Sequence, residues 1–224
     1  MIKNEIYISR LSAWAPGISS NDEWTEWANG KKEIVCGDKG PEITFTDPIF
    51  RRRLSQISKM TIQVIHDLLP LDENTALFFL SFRGELSRQY QINKTLIKEK
   101  SLMPAAFSLS VFNTPIALAT IAFGLKGGYS AVYPGNNSFT AGFKAAAAAL
   151  LCGNKTELVF VYADEEPPEE YKDLCKDCDP PLAFALLLSR EPQPLSVTIS
   201  SMNTNAETKS PAGFLKGLIT SVPS

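Results

Sequence analysis

Apolar residues along the chain fall into two alternating patterns. Unbroken apolar runs of strand length occur at residues 76–82 (ALFFLSF), 157–163 (ELVFVYA) and 182–188 (LAFALLL). Such runs fit strands buried on both faces, as in a parallel sheet. Between them lie segments with helical spacing. Residues 48–69 place Phe50, Leu54, Ile57, Val64, Ile65 and Leu68 on one stripe, with Asp47 as cap, Pro48 in the first helical position and Pro70 as the stop. Residues 85–100 predict a polar helix. Residues 104–125 predict a helix broken near Asn113 and Pro115 and ended by Gly127 and Gly128. Residues 138–151 predict a helix closed by Gly153, and residues 211–221 a short last one. Shorter strand signals lie at residues 6–8, 129–133 and 195–200. A weak one at Ile34 and Val35 sits in an irregular stretch, residues 13–40, that holds Trp14, Trp24 and Trp27. Strands alternating with helices predict an α/β fold with a mainly parallel sheet and a last strand close enough in sequence to be antiparallel.

One predicted helix has an unusual composition. Residues 143–151 (FKAAAAALL) are small and apolar almost all round. That pattern calls for burial on every side, with neighbours close to the backbone. One sheet covers only one face, so another part of this chain or a partner subunit must cover the other.

Length suits a single domain over residues 1–224. A net charge of −2 lacks the basic footprint of a nucleic-acid binder. No apolar run reaches the length of a membrane span. The first residues lack the pattern of a secretory leader, so a cytoplasmic protein with reduced cysteines is expected. The acidic stretch at residues 164–179 reads as a solvated loop. It contains Cys175 and Cys178, a lone C-x-x-C pair without the second pair that a structural zinc site uses. No metal or cofactor is expected.

The segment from Tyr129 to Leu151 is strand, sharp turn, helix, the place where α/β enzymes often mount a nucleophile. The turn Gly135-Asn136-Asn137-Ser138 offers amides, which are not nucleophiles. Ser138 reads as the helix N-cap. The one histidine, His66, falls opposite the apolar stripe of its helix and reads as a surface residue. No nucleophile–base pair follows. Arg51, Arg52 and Arg53 lie in the first turn of their predicted helix; they read as a solvated face, or as a dock for an acidic partner.

Several blocks resemble the amino-terminal half of β-ketoacyl synthases. They are SVFNTP at residues 110–115, IAFGLKG at 121–127, the turn with its alanine-rich helix, LVFV at 158–161 followed by Asp164 and Glu165, and the strand at 182–188. The likeness is strongest to short synthase-like chains that accompany aryl polyene and related type II polyketide systems. It implies one thiolase-like half, βαβαβαββ, with sheet order 3-2-1-4-5 and the last strand antiparallel. The second half, which carries the family's catalytic histidines, is essentially missing. Alignment from Gly153 puts Asn136 where the family's acylated cysteine sits, and an offset of one gives Asn137. The resemblance therefore implies a non-catalytic subunit, like a chain length factor, paired with a full-length β-ketoacyl synthase and possibly meeting an acyl carrier protein. The partner interface falls on Tyr129, Ser130, Ala131, Val132 and Tyr133. A wall of the partner's acyl pocket falls on Pro104, Ala105, Ala106 and Phe107. The other readings are a stand-alone acyl-thioester enzyme using Ser138 or a cysteine, and a binding module for acyl chains or their carrier protein.

Overall fold

The computed structural model describes residues 5–101, 104–135, 138–174, 180–198 and 209–221. The described residues form one six-stranded sheet with helices on both faces. In chain order the elements are β1 (Glu5–Trp14), α1 (Asn21–Ala28), α2 (Pro48–Arg51), α3 (Gln56–His66), β2 (Ala76–Leu80), α4 (Leu86–Glu99), α5 (Pro104–Ser108), α6 (Thr114–Phe123), β3 (Tyr129–Val132), α7 (Phe139–Cys152), β4 (Glu157–Asp164), a 3-10 helix (Glu169–Leu174), β5 (Leu182–Ser189), β6 (Leu195–Thr198) and α8 (Pro211–Ser221).

The strand order is β3-β2-β4-β5-β1-β6. β2 runs parallel to both β3 and β4. β5 is antiparallel to β4 and to β1, and β6 is antiparallel to β1. The expected α/β half with an antiparallel strand after β4 is present, but the sheet is mixed instead of mainly parallel, because β5 pairs antiparallel on both sides and β6 pairs antiparallel with β1. The expected order 3-2-1-4-5 is not present, because β1 lies outside β5 instead of at the centre. Burial gives the reason. Every residue of β5, and all of β4 after Glu157, is buried. β1 buries only Ile6, Ile8 and Ser12. A strand that alternates buried with half-buried residues suits a peripheral place, and a wholly apolar one suits the centre.

The two faces of the sheet differ in side-chain size. On one face Phe78, Leu80, Phe160, Tyr162, Phe184 and Leu186 pack with α7, α8 and Trp27 of α1. Phe139 and Phe143 of α7 meet Phe214 of α8 at ring-centroid distances of 5.1 and 4.8 Å. On the other face Val159, Val161, Ala163, Ala183 and Ala185 pack under α3 and α6. Phe79 and Leu187 also stand on this face, but the valines and alanines of β4 and β5 let α3 lie close to the sheet between them.

Several local expectations change. The single helix predicted over residues 48–69 is two. Asp47 Oδ1 accepts from the backbone N–H groups of Ile49 at 2.8 Å and Phe50 at 3.1 Å, which starts α2, and a second cap at Ser55 starts α3. Arg51 therefore ends a short helix instead of starting a long one, where its charge suits the dipole. The irregular stretch contains α1, started by a reciprocal capping box between Ser20 and Glu23. Ile34 and Val35 form no strand; Ile34 is buried and Val35 exposed. α6 ends at Gly124, which takes the left-handed conformation at φ 64°, before the expected Gly127 and Gly128. Gly153 follows α7 in an extended conformation; a Cβ there would meet Ala149 O at 2.6 Å.

Gly127 has a different role. A Cβ there would lie 2.2 Å from Asn74 O and 2.4 Å from Thr75 O, both backbone atoms entering β2. The glycine lets the chain pass this close before it turns into β3. Gly127→Ala should cost about 2 kcal/mol, the usual scale for a forced backbone shift. Urea unfolding measures this, and an unchanged midpoint would contradict the packing argument.

Candidate functional site

The turn between β3 and α7 is the first candidate. Ser138 caps α7: its hydroxyl accepts from Ala141 N–H at 3.2 Å. That role matches the sequence expectation. Asn136 and Asn137 lie outside the described residues. His66 is remote from this turn. Glu165, just after β4, accepts a hydrogen bond from Ile57 N–H in the first turn of α3. The start of α3 therefore sits at the carboxyl ends of the parallel strands, where α7 also begins. His66 ends α3, nine residues on at about 1.5 Å each, which places it toward the opposite end of the sheet. Its ring stacks on Phe45 at 3.6 Å, and Nδ1 lies 3.1 Å from Asp67 Oδ1. The structure does not bring the histidine to the turn.

The all-apolar helix is not buried on every side, as its sequence suggested. Phe139, Thr140, Gly142, Phe143, Ala146, Ala147 and Leu150 face the interior, while Ala141, Ala145, Ala148, Ala149 and Cys152 are exposed. α8 supplies part of the missing cover. Gly142 sets the approach to the sheet, since a Cβ there would meet Leu80 Cδ1 at 2.4 Å.

β3 borders the sheet. Its inner side meets β2, and among the described residues no strand pairs with its outer side. Leu77 N–H donates to Gly128 O and Ser81 N–H to Val132 O. By strand alternation Gly128, Ser130 and Val132 turn their backbone groups to β2, while those of Tyr129 and Ala131 point outward. Tyr129 and Tyr133 are exposed, as are Phe107, Val111 and Ile121 on neighbouring elements in sequence. Asn113 Nδ2 donates to Tyr129 OH at 2.8 Å and ties the start of α6 to this edge. Pro104, Ala105 and Phe107 of α5 are exposed and Ala106 is half-buried.

The structure also assembles a buried carboxylate cluster that the sequence did not suggest. Asp164 and Glu165 read as the start of a solvated loop, yet they are 1% and 4% exposed. Glu85, at the head of a predicted polar helix, is wholly buried. Asp164 accepts from Ser81 Oγ at 2.7 Å, Phe82 N–H at 2.9 Å, Arg83 N–H at 3.0 Å and Tyr162 OH at 2.9 Å. Glu85 accepts from Ser55 Oγ at 2.6 Å, Ser58 Oγ at 2.7 Å and Arg88 Nε at 3.0 Å. Glu165 accepts from Ile57 N–H at 3.0 Å through Oε2, and its Oε1 has no hydrogen-bond partner. The cluster ties the ends of β2 and β4 to the first turns of α3 and α4. The available sequence signal was the buried run of β4, which continues straight into Asp164. Among the described residues no group of three or more histidines, cysteines or acids is placed to hold a metal ion. No helix of the described residues is long and apolar enough to cross a membrane.

Burial pushes the Glu165 carboxyl up to about 7; the Ser87 hydroxyl and Ile57 N–H oppose this, while Glu85 and Asp164 add to it. Burial also pushes Asp164 up, opposed by Arg83 and its donors. The folded state thus holds a proton on Glu165 that the unfolded chain releases near 4.5. Stability from this group is full below that value and is lost as pH rises toward 7, a total of about 3 kcal/mol. Glu165→Gln, which keeps an acceptor for Ile57, should flatten that slope and exceed the parent in stability above pH 7. Chemical denaturation from pH 4.5 to 8 tests this; parallel profiles would refute it.

Against known proteins, residues 24–217 match the family described as "Beta-ketoacyl synthase, N-terminal domain". Comparison with curated proteins gives no match. Among solved structures, a chain of the ketosynthase ApeO in complex with its chain length factor ApeC from Xenorhabdus doucetiae superposes with a TM-score of 0.68 at 28% identity, covering 83% of this chain and 79% of that one. A chain of the ishigamide ketosynthase/chain length factor gives a TM-score of 0.67 at 14% identity, over 97% of this chain and 82% of that one. A chain of the type II assembly AntDE:AntF, an acyl carrier protein in complex with its ketosynthase, gives 0.60 at 13% identity, over 92% and 67%. The six-stranded sheet with its two helical layers is one thiolase-like half. The chain belongs to the β-ketoacyl synthase N-terminal domain family.

Proposed function

We propose that this chain is a non-catalytic subunit, like a chain length factor, that pairs with a full-length β-ketoacyl synthase in type II polyketide or fatty-acid-like biosynthesis of the aryl polyene type. The open outer side of β3 carries this reading. Tyr129 and Ala131 direct backbone donors and acceptors away from β2, and exposed apolar side chains accompany them. Such an edge is a template for a strand of another chain. The exposed alanine face of α7 adds a second uncovered surface on the same half-fold. The ketosynthase–chain length factor complexes among its structural neighbours support a partner of this kind.

The chemistry of the turn supports a non-catalytic role. Asn136 and Asn137 occupy the stretch where the family resemblance puts the acylated cysteine, and an amide does not attack a thioester. The single histidine lies away from that turn. In this reading α5, with Pro104, Ala105, Ala106 and Phe107, walls the partner's acyl pocket, and the small Ala106 leaves it deep. An acyl carrier protein meets the assembled pair, in keeping with the AntDE:AntF complex.

Co-expression with the ketosynthase of the same pathway should yield a stable heteromeric complex by size-exclusion chromatography. A lone monomer beside an uncomplexed ketosynthase would overturn the proposal. A sharper test uses the edge itself. Ala131→Pro removes an outward N–H and leaves the β2–β3 ladder intact, so it should weaken partner binding by about tenfold or more while changing stability by less than about 1 kcal/mol. Unchanged binding would exclude β3 as the interface.

A further inference from the structure

Glu165 joins the starts of two helices. Its Oε2 accepts from Ile57 N–H in the first turn of α3 at 3.0 Å, and the Ser87 hydroxyl in the first turn of α4 faces the same carboxyl. We propose that Glu165 is a proton-operated latch on α4: the neutral carboxyl keeps the start of α4 closed against the end of β4, and its ionisation makes that contact open more often.

Three observations carry this. First, the carboxyl is 4% exposed and, among the described residues, has no ion pair. The two acids beside it do. Arg88 Nε lies 3.0 Å from Glu85, and Arg83 Nε lies 3.9 Å from Asp164. Arg83 Nη1 donates to the backbone oxygen of Glu165, at 2.7 Å. Burial without a cation favours the neutral acid. Second, the charges farther out do not reverse this. Asp38, Glu166 and Glu169 line the groove beside Glu165, and Lys172 is 2.9 Å from Glu166 and 2.7 Å from Glu169. Third, α4 is the element that can yield. α3 buries seven of its eleven residues, whereas α4 buries none completely. Ties farther along α4 are peripheral, such as Tyr90 edge-on to Tyr171 at 5.4 Å. Strain at Glu165 is therefore relieved by parting α4 from the cluster while α3 stays on the sheet. α5, the proposed pocket wall, packs on α4; in that reading the latch also sets how firmly the wall stands, although the latch itself does not depend on it.

The closed form keeps a proton on Glu165 up to about pH 7, and an open form that exposes the carboxyl releases it near 4.5. Opening should therefore become about tenfold more frequent per pH unit between these values and level off above 7. Native-state hydrogen exchange of the full chain, from about pH 5 to 8.5 and at low urea concentrations, reads this directly. After correction for intrinsic rates, amides of α4 should lose protection on that profile, with much weaker urea dependence than amides of β5. Glu165→Gln should remove the pH dependence in α4. Ser87→Ala takes away a hydroxyl that favours the ionised form, so it should move the levelling point above 7. The proposal is overturned if α4 protection does not change with pH, if α4 and β5 share one urea dependence, or if Glu165→Gln keeps the slope. The wild-type profile and Ser87→Ala decide the matter even where Glu165→Gln folds poorly.

Discussion

β4 and β5 lie side by side at the middle of the sheet, and almost none of their side chains reach water. Two adjacent strands buried on both faces require a layer of helices on each side. The sequence of β5 also makes those layers unequal. Leu182, Phe184, Leu186 and Leu188 fill one face with bulk, while on the other Ala183 and Ala185 leave a shallow stretch before Leu187. Bulk on the first face lifts α7 and α8 onto an aromatic cushion of Phe139, Phe143, Phe160 and Phe214. Shallowness on the second lets α3 descend until its first turn reaches the end of β4. The carboxylate cluster exists because of that descent.

The cluster converts close packing into fixed orientation. Asp164 gathers donors from three consecutive residues after β2, so the chain leaves the sheet there in one direction. Glu85 then anchors the first turn of α4 to the serines that start α3. α4 itself buries no residue completely, and α5 is largely exposed. The placement of this outlying arm thus depends on polar bonds at its root more than on apolar burial along its length.

Much of this was legible in the sequence where one local rule decided the outcome. Continuous apolar runs marked β2, β4 and β5, and the Ser138 cap with its closing glycine marked α7. α1 is hidden in a tryptophan-rich, glycine-flanked stretch with no clear apolar stripe, although Ser20 and Glu23 spell a capping box. The break between α2 and α3 hides in a continuous apolar stripe, and only Ser55 betrays it. The strand order rested on the resemblance alone, because pairing between distant segments leaves no periodicity to read, and the sheet places β1 outside β5. The alternation in β1, set beside the unbroken runs of β4 and β5, was the usable clue. The buried acids were invisible for a related reason. A carboxylate is placed inside by the donors it will meet, and those donors lie up to 108 residues away in the chain.

The two borders of the sheet are not equivalent. β6 is four residues long and follows Pro192 and Pro194, which have no N–H to offer an incoming strand. β3 is as short and precedes Pro134, but it presents the exposed Tyr129 beside backbone groups that turn away from β2. A molecule with two adhesive borders can add copies without limit, as fibrils do. Should the border at β3 take one strand and that at β6 none, growth would end at a closed assembly.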